Sequence, residues 1–171
     1  MARVEIFRKR SMDADIGSKW RYVEPPSLSF EARLELDGKA ADEIGKDSVL
    51  LKDMNGAATE VYQQTCEGIR KKLAAFDKAI GEMLDNGASK AEVEKQLDGL
   101  NKSIEKDRDV AEKAAEQAIL KAWKDYTAKK KDYLAYKINI VTSVAGSLAA
   151  LITSISLMAT SPFTGGASAA I

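Results

Sequence analysis

The sequence contains no histidine and only one cysteine, Cys66, among its 171 residues. Without histidine the chain lacks the commonest general base and metal-binding side chain. A single cysteine cannot form an intramolecular disulfide, and alone it cannot make up a zinc site. Cys66 lies in the helix-compatible stretch VYQQTCEGI, so we interpret it as a structural residue rather than a nucleophile.

Other sequence signals of catalysis are missing as well. No glycine-rich phosphate loop follows a predicted strand, there is no nucleophile elbow, and no pair of acidic residues marks a cleft. The segments LDNGAS at 84–89 and GASA at 166–169 have turn chemistry rather than phosphate-loop chemistry. We therefore expect a protein that is not an enzyme, with no cofactor, no metal and no small-molecule substrate.

The chain also lacks a net charge and an export signal. Its 26 basic and 26 acidic residues balance, so no general field attracts nucleic acid, and no nucleic-acid-binding motif is present. The first ten residues, MARVEIFRKR, contain no apolar core and therefore do not form a secretory signal peptide. We expect neither a nucleic-acid partner nor a classical signal-directed route out of the cell.

The most informative absence is that of charge after Lys137, because residues 138–171 contain no charged side chain. Such a run exceeds the roughly 20 residues that a membrane-spanning helix needs. We predict an apolar helix over 138–160, with small and hydroxyl side chains on one face and large ones on the other. The large residues are the candidates for insertion into lipid: Val141, Val144, Leu148, Leu151, Ile152, Ile155 and Met158.

Two environments fit this predicted helix. In a membrane, the small hydroxylic face favours close packing against other helices, whereas in water the same pattern suits a helix buried among neighbours. The protein is therefore expected to be membrane-associated, or soluble with a sheltered apolar tail. The uncharged sequence resumes after a turn at 161–166, which predicts that a second apolar helix follows Ile171.

Residues 1–38 differ from the rest and predict a small cap of strands and irregular structure. From Ser27 to Leu36, apolar and polar residues alternate, which is typical of a half-buried strand. Ala2–Arg8 is a weaker candidate strand, and Glu31–Leu36 also fits the start of a helix. Because two strands do not form an independently stable sheet, we expect the cap to pack against the helices or against another chain.

Residues 40–137 predict a long antiparallel helical hairpin, so the fold class is mainly α. Apolar residues recur at three- and four-residue steps from about Ala40. A turn at 85–89 separates the arms, with Gly87 just past the first helix and a capping box formed by Ser89 and Glu92 before the second. Each arm of about 45 residues would extend roughly 65–70 Å.

The apolar positions of the two predicted arms are symmetric about this turn. Facing positions have sequence numbers that add up to the same total, as expected for an antiparallel pair; Cys66 opposite Asp107 breaks the pattern. The predicted seam pairs Ile80 with Val93, Phe76 with Leu97, Leu73 with Leu100 and Ile69 with Ile104.

Aromatic and basic residues form a collar just before the uncharged segment. They match the anchors found at membrane interfaces, and they equally fit core packing against Trp20 and Tyr22 of the cap. The collar consists of Trp123, Tyr126, Lys129, Lys130, Lys131, Tyr133, Tyr136 and Lys137.

In layout, residues 40–171 resemble the helical pore-forming toxins, colicin-like proteins among them, because an uncharged Ala/Gly/Ser-rich segment and a tight turn follow a charged coiled coil. The resemblance implies a soluble form that shelters the apolar segment and a membrane-bound form in which it inserts. The alternative is a structural or adaptor subunit of a filament, ring or secretion apparatus, with 138–160 buried against partners. The expected partners are therefore a lipid bilayer, other protein chains, or further copies of this chain.

Overall fold

The computed structural model describes residues 1–13 and 27–146, which form three α-helices and a small antiparallel three-stranded sheet. Two compact units are present: the first comprises residues 1–11, 29–65 and 108–145, and the second contains residues 66–107. In chain order, the elements are β1 (Ala2–Asp13), β2 (Ser27–Leu36), α1 (Gly38–Lys46), α2 (Ser48–Asp85), α3 (Lys90–Lys129), a 3-10 helix (Lys131–Ala135) and β3 (Asn139–Gly146).

The predicted strand from Ser27 to Leu36 is confirmed as β2, the central strand of the sheet order β1-β2-β3. All of its alternate apolar side chains are buried: Leu28, Phe30, Ala32, Leu34 and Leu36. The alternative helix start at Glu31–Leu36 is therefore wrong. The weaker candidate, Ala2–Arg8, is also a strand and extends to Asp13 as β1.

The predicted helix over 138–160 is wrong for its first part, because Asn139–Gly146 form strand β3. Four of the six residues from Asn139 to Val144 are β-branched: Ile140, Val141, Thr142 and Val144. Short apolar runs of this kind fit both the helical and the strand period. Here the run forms a strand because the sheet offers it an open edge to pair with. The third strand that the two-stranded cap needed thus comes from the same chain. The remainder of the predicted helix, 147–160, lies outside the described residues.

The first unit has its core between the sheet and the helices. The side chains of Leu34, Ile44, Leu50, Met54 and Ile119 are fully buried there. An aromatic cluster adds directional packing, since the ring centroids of Phe7 and Phe30 lie 5.4 Å apart in an edge-to-face arrangement and both contact Tyr62.

The predicted arms are wrong in two places, one within the first arm and one at the end of the second. The first arm is interrupted at Asp47, where α1 ends and α2 begins. The second arm ends as α-helix at Lys129 rather than Lys137, and continues as the 3-10 helix. Asp47 has an extended backbone and caps the next helix with its side chain, which is favourable at a helix start and interrupts the preceding one.

The second unit contains the turn between α2 and α3. Both features predicted there, the glycine just past the first helix and the capping box before the second, are confirmed. Gly87 has a φ of 76°, which L-residues with a Cβ rarely adopt. Glu92 accepts a hydrogen bond from the Ser89 N–H at 2.8 Å, and the Ser89 hydroxyl accepts one from the Glu92 N–H at 3.3 Å, so the capping box is present. All eight predicted seam residues are buried: Ile69, Leu73, Phe76, Ile80, Val93, Leu97, Leu100 and Ile104.

Candidate functional site

The candidate site is centred on Asp47, at the junction of α1 and α2 in the first unit. The N–H group of Leu50 donates to Asp47 Oδ1 at 3.1 Å, which is the cap of α2. The other carboxylate oxygen, Oδ2, accepts hydrogen bonds from the Tyr126 hydroxyl at 2.7 Å, the Tyr133 hydroxyl at 3.0 Å and Lys130 Nζ at 3.1 Å. One carboxylate thus joins the α1–α2 junction to the end of α3 and the 3-10 helix.

The environment of Asp47 favours its charged form. Only 7% of its side chain is exposed. Burial alone raises the pKa, but the hydrogen bonds from Tyr126, Leu50, Lys130 and Tyr133 outweigh burial, so the pKa of Asp47 falls from its ordinary 3.8 to about 2. The Asp47 carboxylate is therefore ionised at neutral pH.

The same contacts hold the phenols and the amine protonated. The hydrogen bond to Asp47 raises the pKa of Tyr126, and burial together with that bond raises the pKa of Tyr133. The hydrogen bond to Asp47 also raises the pKa of Lys130. No member of the group is poised to exchange a proton near neutral pH, so the arrangement is suited to holding segments together rather than to acid–base chemistry.

A second acidic residue, Glu43 of α1, extends the cluster. The Tyr136 hydroxyl donates to Glu43 Oε2 at 2.5 Å, and this hydrogen bond raises the pKa of Tyr136 to about 12. The rings support one another: Trp123 and Tyr133 stack with centroids 6.1 Å apart and planes 5° apart, and Lys130 Nζ lies 4.8 Å from the Tyr133 ring centroid. A shallow cleft of about 360 Å³ lies beside the cluster.

The predicted collar therefore divides into an inward and an outward part. Trp123 and Tyr133 are buried, and the three tyrosine hydroxyls are bonded to Asp47 or Glu43. The lysines Lys129, Lys131 and Lys137 are exposed, and Lys130 is about half exposed. Core packing of the aromatic residues is thus observed, but against α1 and the α1–α2 junction; Trp20 and Tyr22 lie outside the described residues.

Of the predicted membrane-inserting residues, two are described. Val144 is buried on β3 and Val141 is partly buried on the same strand. The other candidates lie outside the described residues: Leu148, Leu151, Ile152, Ile155 and Met158.

Side chains from the helices contact both outer strands. On β3, the Val144 N–H donates to Glu112 Oε1 at 3.0 Å, and the Thr142 hydroxyl donates to the Glu112 carbonyl oxygen at 2.8 Å. On β1, the Ile6 carbonyl oxygen accepts from Asn55 Nδ2 at 2.7 Å. Satisfying backbone groups of outer strands in this way reduces their tendency to pair with other chains.

Glu43, Asp47 and Glu112 were not among the site residues predicted from the sequence. A helix-capping signal was present, since an aspartate precedes Ser48 at the start of α2. The partners of Asp47 among the tyrosines and Lys130 are 79 to 86 positions away in the sequence, so no local pattern could identify them.

Within residues 1–13 and 27–146, no group of three or more acidic, cysteine or histidine side chains is arranged to hold a metal ion. No helix in this described part of the chain is both long and apolar enough to cross a membrane. No protein-family model matches the chain, and no curated protein or solved structure matches it significantly.

Proposed function

We propose that this chain is a non-enzymatic, membrane-active protein whose uncharged C-terminal segment inserts into lipid. The observation that carries the proposal is the separation of charge along the chain: all 52 charged residues precede residue 138. Transfer of the apolar side chains of 138–160 from water into lipid is favourable by on the order of tens of kcal/mol, offset by the contacts that shelter them beforehand.

The exposed lysines support the proposal because they stand directly before the uncharged segment. Lys129, Lys131 and Lys137 face solvent, and each basic residue near an anionic lipid surface contributes about 1 kcal/mol to binding. Because the tyrosine hydroxyls are already bonded to Asp47 and Glu43, the attraction to the membrane surface is assigned to the lysines rather than to the aromatic residues.

We further infer that α2 and α3 pair as an antiparallel hairpin, in the manner of the helical pore-forming toxins that the layout resembles. Two contacts in the second unit support this pairing: Lys72 Nζ lies 2.5 Å from Asp107 Oδ2 and donates to the Ser103 hydroxyl at 2.6 Å. Burial of all eight seam residues also fits such a hairpin.

The test is flotation of the full chain with liposomes, together with release of an entrapped dye. The double substitution Leu151→Asp and Ile155→Asp places two charges in the uncharged segment, and each costs about 3 kcal/mol at the centre of a membrane helix. We expect this variant to lose flotation and dye release. Val110→Asp is the control, because Val110 is an exposed apolar residue on α3. Equal lipid association of all three proteins would contradict the proposal.

One observation favours a second candidate, a structural or adaptor subunit of a larger assembly. Strand β3 uses residues up to Gly146, which leaves only residues 147–161 before Pro162. As a helix, this stretch would extend roughly 22 Å, short of the roughly 30 Å hydrocarbon core. In this alternative the uncharged residues pack against other copies or other chains.

Light scattering of protein purified without detergent distinguishes the two candidates. The assembly candidate predicts large oligomers that the Leu151→Asp and Ile155→Asp substitutions dissociate. A monomer that associates with liposomes would exclude it and favour membrane insertion.

A further inference from the structure

Strand β3 has fewer buried apolar side chains than the central strand β2, although Ile140 is partly buried against the core. Among its described side chains only Val144 is buried, whereas five side chains of β2 are. The hydrophobic contribution to docking scales with apolar area removed from water. The docking of β3 must therefore depend more strongly on its hydrogen bonds than the docking of β2 does.

Backbone hydrogen bonds pair β3 with β2, and most of the further polar contacts of β3 come from one helical residue. Glu112 of α3 accepts the Val144 N–H with its carboxylate and the Thr142 hydroxyl with its carbonyl oxygen. From the neighbouring strand, the Ser29 hydroxyl donates to the carbonyl oxygen of Ala145 at 3.1 Å. Hydrogen bonds to a charged group are stronger than neutral ones, so the carboxylate of Glu112 is the most important of these acceptors.

The segment that leads into β3 is anchored by two more acidic residues. Asp47 accepts hydrogen bonds from Lys130 and Tyr133, and Glu43 accepts one from Tyr136. These donors lie within the ten residues that precede Asn139. Glu43, Asp47 and Glu112, which we call the acidic clasp, therefore fix the chain before and within β3.

We propose that β3 is a releasable edge strand, kept in the sheet by the acidic clasp, and that its release returns residues 139–146 to the uncharged segment. This inference rests on the proposed membrane activity and states how that activity is regulated, namely by the release of β3. With β3 docked, residues 147–160 would extend roughly 21 Å as a helix, and with β3 released, residues 138–160 would extend roughly 34 Å. Only the longer stretch matches a hydrocarbon core of roughly 30 Å.

Hydrogen exchange tests the clasp without any lipid. We expect Asp47→Asn, and separately the pair Tyr126→Phe and Tyr133→Phe, to accelerate exchange of the β3 amides by about tenfold or more. The tyrosine pair leaves the helix cap made by Asp47 intact. Amides between Ile69 and Ile80 should keep their protection, and Asp42→Asn, an exposed aspartate of α1, should change nothing. Unchanged β3 exchange in both clasp variants would overturn the proposal.

A reversible cross-link between β2 and β3 tests whether membrane activity requires the release of β3. Because Ser29 and Ala145 are in contact, Ser29→Cys with Ala145→Cys, in a Cys66→Ala background, allows β3 to be bridged to β2 by a disulfide or a short bis-thiol linker. We expect the bridged protein to lose dye release from liposomes and the reduced protein to recover it. Equal release in both forms overturns the strand-release proposal and leaves membrane activity standing. If neither the wild-type nor the reduced protein releases dye, both proposals fail.

Discussion

At the residue scale, the buried carboxylate of Asp47 makes the stability of the first unit depend on pH. Its pKa is lowered from 3.8 to about 2 in the folded protein, which corresponds to on the order of 2 kcal/mol. Because the folded-state pKa is the lower one, this stabilisation is complete above about pH 5 and decreases as the pH falls. It is lost once the pH falls through the folded-state pKa.

We therefore predict that Asp47→Asn lowers the free energy of unfolding at neutral pH by on the order of 2 kcal/mol. The difference from wild type should shrink steadily when the pH is lowered from about 5 towards 3. Urea unfolding at several pH values measures it, with Asp42→Asn as the exposed control. Parallel pH profiles for wild type and Asp47→Asn would contradict the assignment.

Tyr136 offers a second test, in alkaline solution. Its hydrogen bond to Glu43 raises its pKa to about 12, so Glu43→Gln should bring the ionisation midpoint back towards the ordinary value of 10.0. The change is measured by the phenolate absorbance during titration, and Tyr136→Phe identifies which signal belongs to this residue. An unchanged Tyr136 midpoint in Glu43→Gln would show that the hydrogen bond is absent in solution.

At the scale of elements, the turn between α2 and α3 depends on one glycine. Gly87 has a positive φ of 76°, whereas Gly99 is an exposed helical residue with open space where a Cβ would point. We predict that Gly87→Ala destabilises the protein by about 1 kcal/mol. The same substitution at Gly99 should stabilise it by about 0.5–1 kcal/mol. Chemical denaturation measures both, and equal effects of the two substitutions would contradict the prediction.

The elements also show how far the sequence determines the fold. Strand β2 was predictable because its alternation is regular, and the capping box was predictable because its residues are three positions apart. Strand β3 was not predictable, since its β-branched residues fit two periods and the choice depends on β2, a strand more than 100 residues earlier. The Asp47 cluster was missed for a related reason: its residues are distant in sequence and meet only after the sheet and helices have packed.

At the scale of the whole molecule, the proposed membrane binding should depend on charge as well as on apolar area. Replacing Lys129, Lys131 and Lys137 by glutamine removes three exposed charges and should weaken binding to anionic vesicles by about 100-fold. Binding to neutral vesicles should change much less. The matched control replaces three exposed lysines elsewhere, Lys78, Lys106 and Lys113. Equal weakening by both triple variants would indicate a general charge effect instead of a local binding surface.

The position of β3 in the sheet has a consequence for synthesis. β2 ends at Leu36 and β3 ends at Gly146, so the ribosome adds a further 110 residues before the sheet can be completed. At typical elongation rates this takes roughly 5 to 20 s. Throughout that interval, the edge of β2 that β3 later covers is unpaired and available to other nascent chains. The growing polypeptide should therefore need a chaperone most before β3 is made, and its folding should be slow because the closing contact spans most of the chain.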